Sequence, residues 1–199
     1  MGPTLGPDVR DQPDRSVTAD AQLLYLVRHC EAAGQAPDAP LTPEGTIQAH
    51  LLADRLAPLA IDRVVSSPFR RAQDSIVPLA MRCGLVVETD DRLIERVLSP
   101  EPLLDWQSHL RRTFDDDDYY LAGGESSRTA TARAVAMLDD ARRHPAHVTV
   151  IVTHGNLLAL LLRHFDGRVG FATWASLTNP DIYRVTIGEQ PQPFVRIWR

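Results

Sequence analysis

The sequence predicts an α/β protein, a three-layer α/β/α sandwich around a mainly parallel mixed sheet. Three observations predict it. Short apolar runs of strand length alternate with helix-length segments. The connections between them are short, as in layered α/β folds. Three of the runs end in reactive or cationic residues: Arg28-His29, Ser66-Ser67 followed by Arg70-Arg71, and Thr153-His154. Open α/β sheets bind ligands beyond the carboxyl ends of their strands, so this coincidence marks a site.

The run 23–27 is the first strand and stops at Arg28 and His29. A loop containing Gly34, Pro37 and Pro40 follows. Thr42 then caps a helix with Pro43 at its first position. Residues 61–65 form the second strand, and Ser67-Pro68 repeats the cap-then-proline signal for a helix reaching Arg82. Residues 85–87 form a third short strand. Periodicity weakens over 93–123, where 102–114 is helical and 96–122 could cap the site. Gly123-Gly124 breaks the chain before an amphipathic helix at 126–143. A strand at 148–152 leads through Gly155-Asn156 into an apolar helix at 157–165. Two β-like runs, 182–187 and 194–198, complete the pattern.

The 199 residues fit one domain with a substantial core. Residues 1–20 are rich in Gly, Pro and Asp without an apolar h-region, and read as a disordered tail. Residues 21–199 are expected to form a single domain. A net charge of −5 argues against nucleic-acid binding. No run approaches the ~18 apolar residues of a membrane span. The two cysteines, Cys30 and Cys83, are too few for a disulfide framework or a Cys-rich zinc site, so a cytoplasmic location is expected. All 21 basic residues are arginine. Any bound anion must therefore be held by Arg, His or backbone N–H groups, and the planar Arg fork suits phosphate.

A neutral imidazole is a good nucleophile toward phosphorus, and a phosphohistidine splits one hard displacement into two easier ones. The phosphoryl oxygens need positioned cations and N–H donors. Arg28, Arg71 and a protonated His154 could supply them, with the N-termini of the helices after Ser67 and Gly155 adding favourable electrostatics. A leaving alkoxide needs a proton, and Glu95 is the best placed carboxyl group, with Glu125 next. Taken singly, each residue reads more readily as a surface charge or a turn than as part of a site.

The set reads differently together. Arg28-His29-Cys30-Glu31 resembles the Arg-His-Gly-Glu signature of the histidine phosphatase superfamily, the phosphoglycerate-mutase-like proteins. The resemblance continues through Leu41-Thr42-Pro43-Glu44-Gly45, Ser66-Ser67-Pro68-Phe69-Arg70-Arg71-Ala72 and Leu93-Ile94-Glu95-Arg96. Gly123-Gly124-Glu125-Ser126 and Val152-Thr153-His154-Gly155-Asn156 complete it, in family order over 23–187. The resemblance implies His29 as the phosphorylated nucleophile, Arg28, Arg71 and His154 around the phosphoryl group, and Glu95 as general acid and base. It implies neither metal nor organic cofactor. Two departures stand out: Cys30 replaces the usual Gly, with a thiol that could make activity oxidation-sensitive, and Gln35 stands where a phosphate-binding Asn is common. Gly34 occupies the place of a usual aromatic wall.

The expected function is that of a phosphomonoester phosphatase acting on a small phosphorylated metabolite. Gln35, Arg111, Arg112, Gly155 and Asn156 are the expected substrate-binding residues, and oligomeric state is left open. The alternative is a cofactor-dependent phosphoglycerate mutase, favoured by Arg111-Arg112 and Asn156. A zinc hydrolase using His29, His154 and Glu95, or a catalytically silent phospho-ligand binder, are readings from other classes. The run 115–118, four consecutive Asp, reads as a solvated loop rather than a cation site.

Overall fold

The computed structural model describes residues 22–187 and 194–198, so the tail expected over 1–20 lies outside the described residues. The strands are β1 (Gln22–Arg28), β2 (Arg63–Ser66), β3 (Val87–Thr89), β4 (Val148–Thr153), β5 (Asp181–Ile187) and β6 (Val195–Arg196). The helices are α1 (Pro43–Leu56), α2 (Arg70–Cys83), α3 (Trp106–Asp115), α4 (Ser127–Arg143), α5 (Gly155–Phe165) and α6 (Phe171–Ala175).

Among the described residues one sheet holds all six strands, in the order β3-β2-β4-β1-β5-β6. The first four are parallel, while β5 runs antiparallel to β1 and β6 antiparallel to β5, as the mixed-sheet expectation requires. Strand alternation explains the layers. Leu24 and Leu26 of β1 and Ile151 of β4 face α4 and α5. Tyr25, Val27, Val150 and Val152 face α1 and α2. Both faces are covered, so the central strands read as continuous apolar runs. Helix α5 shows the same on a helix: residues 157–162 are all buried.

The offsets from the sequence reading have local causes. Helix α2 starts at Arg70, not at Ser67, because Phe69 is an extended cap without a side-chain bond. At the other end Gly84 adopts φ +67, and Leu85 N–H still donates to Ala80 O. That C-terminal motif consumes the residues expected to open the third strand, which begins at Val87. Helix α3 begins four residues later than expected, beyond Pro100 and Pro102. Helix α5 starts at Gly155, two residues early. The five-residue α6 has no counterpart in the sequence reading.

The register sets the C-terminal ends of three strands side by side. Arg28 pairs with Thr153 across β1 and β4, and Ser66 pairs with Val152 across β2 and β4.

Candidate active site

His29 follows β1 directly, and its backbone N–H donates to Thr153 O at 3.0 Å. Its carbonyl accepts a bond from Asn179 Nδ2 at 2.7 Å. The ring is 8 % exposed, and Nδ1 lies 2.6 Å from Cys30 O. A carbonyl only accepts, so Nδ1 carries the proton and Nε2 the lone pair. Arg71 confirms this tautomer by donating from Nε to His29 Nε2 at 3.2 Å. Burial pushes the His29 pKa down to about 3, against a smaller opposing effect of the Cys30 carbonyl, and Arg71 and Arg28 lower it further. The imidazole is neutral at physiological pH, with Nε2 available as a nucleophile.

Arg71 sits on the first turn of α2 and is 2 % exposed. Its Nη1 donates to Gln35 O at 3.0 Å and Ala36 O at 2.9 Å. Gln35 therefore meets the site through its backbone carbonyl, and the residue is exposed. Phe69 supplies the aromatic wall missing at Gly34. Its ring lies 4.9 Å from the Arg71 guanidinium and meets His154 edge-on at 5.0 Å.

Arg28 donates from Nη1 to Leu177 O at 3.1 Å, while its buried Nε has no hydrogen-bond partner. Desolvation lowers its pKa, with Glu95 and Asp181 opposing. Gly155 lies against it: a Cβ there would stand 3.1 Å from Arg28 Cζ and Nε. That contact is tighter than ordinary van der Waals packing, which accounts for the glycine.

His154 is fully buried and shares a 2.8 Å hydrogen bond between Nε2 and Ser67 Oγ. Its ring meets His29 edge-on at 5.0 Å. The protonated His154 expected from the sequence is corrected here. Desolvation first, then His29, Arg71, Arg133 and Arg28, hold its pKa well below the usual imidazole value. His154 is a neutral hydrogen-bonding group whose Nδ1 has no partner. Ser67, expected as a helix cap, lies two residues before the cap position, accepts the Phe69 N–H at 3.3 Å and also anchors this histidine.

Glu95 lies against the N-terminus of α5. Its Oε2 accepts from Asn156 N at 3.0 Å, and its Oε1 accepts from Leu157 N at 3.0 Å and Arg96 N at 2.9 Å. The helix N-terminus expected to face phosphate thus spends these N–H groups on the carboxyl group. Oε1 has both lone pairs engaged and Oε2 only one, so Oε2 is the oxygen with room for a transferable proton. Glu125 is not a free second carboxyl group: Arg133 grips it through Nε and Nη2, both at 2.8 Å. Arg133 Nη1 also donates to Arg92 O at 2.6 Å and Ile94 O at 3.0 Å, which fixes the segment leading to Glu95.

Asn156 is buried, and neither its Nδ2 nor its Oδ1 has a partner. Arg96, absent from the sequence-derived set, is 4 % exposed with Nε and Nη2 unpaired. Its one side-chain bond is a 3.4 Å contact from Nη1 to Ser127 Oγ. Buried polar groups without partners are costly and rare, so these atoms are suited to an incoming anionic or polar group. An arginine beside a glutamate reads as a surface pair in sequence, and only burial distinguishes it.

The arginine pair diverges. Arg111 stacks its guanidinium 3.9 Å over Phe171 in a cleft that also contains Arg28. Arg112 stacks 4.0 Å over Tyr119 and does not line that cleft. The acidic run is engaged by arginines: Asp117 with Arg163 at 2.9 Å and Asp118 with Arg128 at 2.6 Å. Cys30 is fully buried and its thiol is pushed up to about 11 by burial, so it is held as an unreactive thiol. The reactive thiolate that oxidation at this position would need is therefore disfavoured. Among the described residues no group of three His, Cys, Asp or Glu side chains is placed to hold a metal ion. Among them, too, no helix is long and apolar enough to cross a membrane.

This arrangement sets a neutral histidine amid arginines, with the Glu95 carboxyl group acting electrostatically on Arg28 and Arg71, a set of groups suited to phosphoryl transfer. Known proteins agree with it. The chain is 32% identical over 187 residues to a probable phosphoglycerate mutase GpmB of Yersinia pestis (strain Pestoides F), covering 84% of this chain and 86% of the relative. The corresponding protein of Enterobacter sp. (strain 638) is 30% identical over 185 residues, with the same coverage. Among solved structures, a mycobacterial glucosyl-3-phosphoglycerate phosphatase superposes with a TM-score of 0.68 at 27% identity, covering 89% of this chain and 97% of that one. A structure described as mycobacterial hydrolase 1 superposes with a TM-score of 0.72 at 27% identity, covering 88% of this chain and 96% of that one. The sequence profile of the histidine phosphatase superfamily (branch 1) matches residues 24–198, and the chain is an enzyme belonging to that superfamily.

Proposed function

We propose that the protein is a phosphomonoester phosphatase working through a covalent phosphohistidine on His29. The observation that carries this reading is the fixed tautomer: Cys30 O holds the Nδ1 proton and leaves Nε2 unprotonated beside Arg71. Nε2 attacks phosphorus as the P–O ester bond breaks, and the leaving oxygen takes a proton from Glu95 Oε2. Arg71 Nε moves from Nε2 to a phosphoryl oxygen, joining Arg28. The Glu95 carboxylate then removes a proton from water, whose oxygen attacks phosphorus. The P–N bond breaks, releasing inorganic phosphate and neutral His29.

A small phosphorylated metabolite as substrate is supported by similar structures, including the mycobacterial glucosyl-3-phosphoglycerate phosphatase with inorganic phosphate bound. Residues 21–199 read as a single catalytic domain, supported by one sheet containing all six strands. A cytoplasmic location is supported by two unpaired cysteines.

A mutase would return the phosphoryl group to a second hydroxyl of the same substrate. The relatives named as probable mutases and the unpartnered Asn156 amide favour that alternative. Assaying phosphate release from phosphomonoesters alongside 3-phosphoglycerate isomerisation separates the two. The mechanism itself is tested by His29→Ala, expected to fold and lose essentially all turnover. Rapidly quenched wild type should carry acid-labile, base-stable phosphate on His29. Substantial turnover in His29→Ala would overturn the covalent mechanism.

A further inference from the structure

A cleft of about 600 Å³ runs between α3 and α6, and Arg28 forms part of its wall. Its size is that of a small-molecule site. Trp106 of α3 and Trp174 of α6 meet there edge-to-face, 5.9 Å apart at 82°. Phe171 lies 5.2 Å from Trp174, but Arg111 already covers one of its faces. The indole corner is therefore the aromatic surface left open, and Trp106 is 42 % exposed. Large aromatics bury readily, and one left exposed in a concave cleft beside a phosphate-binding arginine is unexplained by packing alone.

We propose that this corner binds the leaving group of a sugar phosphate, seating one face of the sugar ring on an indole while Arg28 holds the phosphoryl end. The proposal rests on the phosphatase reading. A saturated ring presents C–H bonds on its faces and hydroxyls around its edge. Two indole planes near a right angle match that shape, and the Gln107 amide in the lining offers polar contacts for the edge. A plain aryl group has no hydroxyls to use such contacts, and a short alkyl chain has no face to stack.

The test compares kcat/KM for a panel of hexose phosphates, glycerol 3-phosphate and p-nitrophenyl phosphate in wild type, Trp106→Ala and Trp106→Phe. Wild type should prefer at least one hexose phosphate over glycerol 3-phosphate by about ten-fold or more. Trp106→Ala should remove about three- to ten-fold of that preference, the worth of an aromatic stacking contact. Glycerol 3-phosphate should change by less than about two-fold, and Trp106→Phe should restore most of the loss. No hexose preference, equal losses on all substrates, or dependence confined to the aryl ester would overturn the proposal. Failure of the phosphatase reading is distinguishable, because it abolishes release of phosphate from every substrate. Binding is then read in His29→Ala, where Trp106 and Trp174 are two of only three tryptophans. Hexose phosphates should quench indole fluorescence and glycerol 3-phosphate should not, and absence of quenching would overturn the cleft assignment.

Discussion

At the scale of single residues, the site is governed by where protons are held. Cys30 O fixes the His29 tautomer, and burial, with a smaller contribution from Arg71 and Arg28, keeps the ring neutral. Glu95 is held by three backbone N–H groups rather than by a cation, so its position is set by the start of α5. Its role is open to a direct test. A sugar or glycerol alkoxide leaves only if protonated as the P–O bond breaks, whereas p-nitrophenolate leaves unaided. Glu95→Gln keeps the size and removes the transferable proton. Alkyl phosphates should lose on the order of 10²–10⁴-fold in rate. Single-turnover burst kinetics with p-nitrophenyl phosphate should change far less, because the burst reports the step that needs no acid. An equal, small loss on both substrates would remove Glu95 from the mechanism. The Gln amide would face Asn156 N–H with a donor, so a modest loss of stability, about 1 kcal/mol, should accompany the change.

At the scale of elements, neighbours in sequence part company in space. Arg111 and Arg112 are adjacent on α3, but a helix turns about 100° per residue, so they serve different surroundings. Arg111 enters the Arg28 cleft and Arg112 stacks on Tyr119. Arg111→Ala should therefore raise KM about three- to ten-fold for substrates carrying a second anionic group, a solvent-exposed ionic contact being worth no more. Arg112→Ala should leave KM within about two-fold on the same substrates. Equal effects of the two variants would mean that neither guanidinium recognises substrate selectively. The strands, the major helices and the residues at the strand ends were legible because apolar runs and reactive residues are local in sequence. What was not legible depends on three-dimensional surroundings. Helix α6 is too short to show a period, the neutrality of His154 comes from complete burial, and Arg96 becomes notable only because its partners are missing. Ser67 reads as a cap because Ser-Pro usually is one, and its Oγ does accept the Phe69 N–H at 3.3 Å, but its second bond, to His154, depends on the fold and has no local signal.

At the scale of the whole molecule, an acidic chain of net charge −5 gathers Arg28, Arg71 and Arg96 around one site. Clustered like charges favour an anionic ligand and disfavour any further cation, so they reinforce the burial that keeps both site histidines unprotonated. That has a consequence for stability. Both histidines have folded pKa values below the ordinary 6.5, His29 at about 3 and His154 well below the usual value. As pH falls through about 6.5, the unfolded chain takes up these two protons while the folded protein does not. Stability contributed by the neutral rings is therefore complete above that pH. It declines below it, by about 1.4 kcal/mol per pH unit for each histidine, until pH reaches the folded pKa of each ring. Urea denaturation at pH 7.5, 6.5, 5.5 and 5.0 should show the unfolding free energy falling along this sequence, before most carboxylates are protonated. Replacing one of the two rings, as in His29→Ala, should reduce the slope between pH 5.5 and 5.0 by about half. Added inorganic phosphate should offset the decline, because an anion that binds the folded state stabilises it by mass action and also relieves the smaller part of the shift that the arginines cause. Unfolding free energies that stay level from pH 7.5 to 5.0, with and without phosphate, would show that these histidines are not held neutral by the fold.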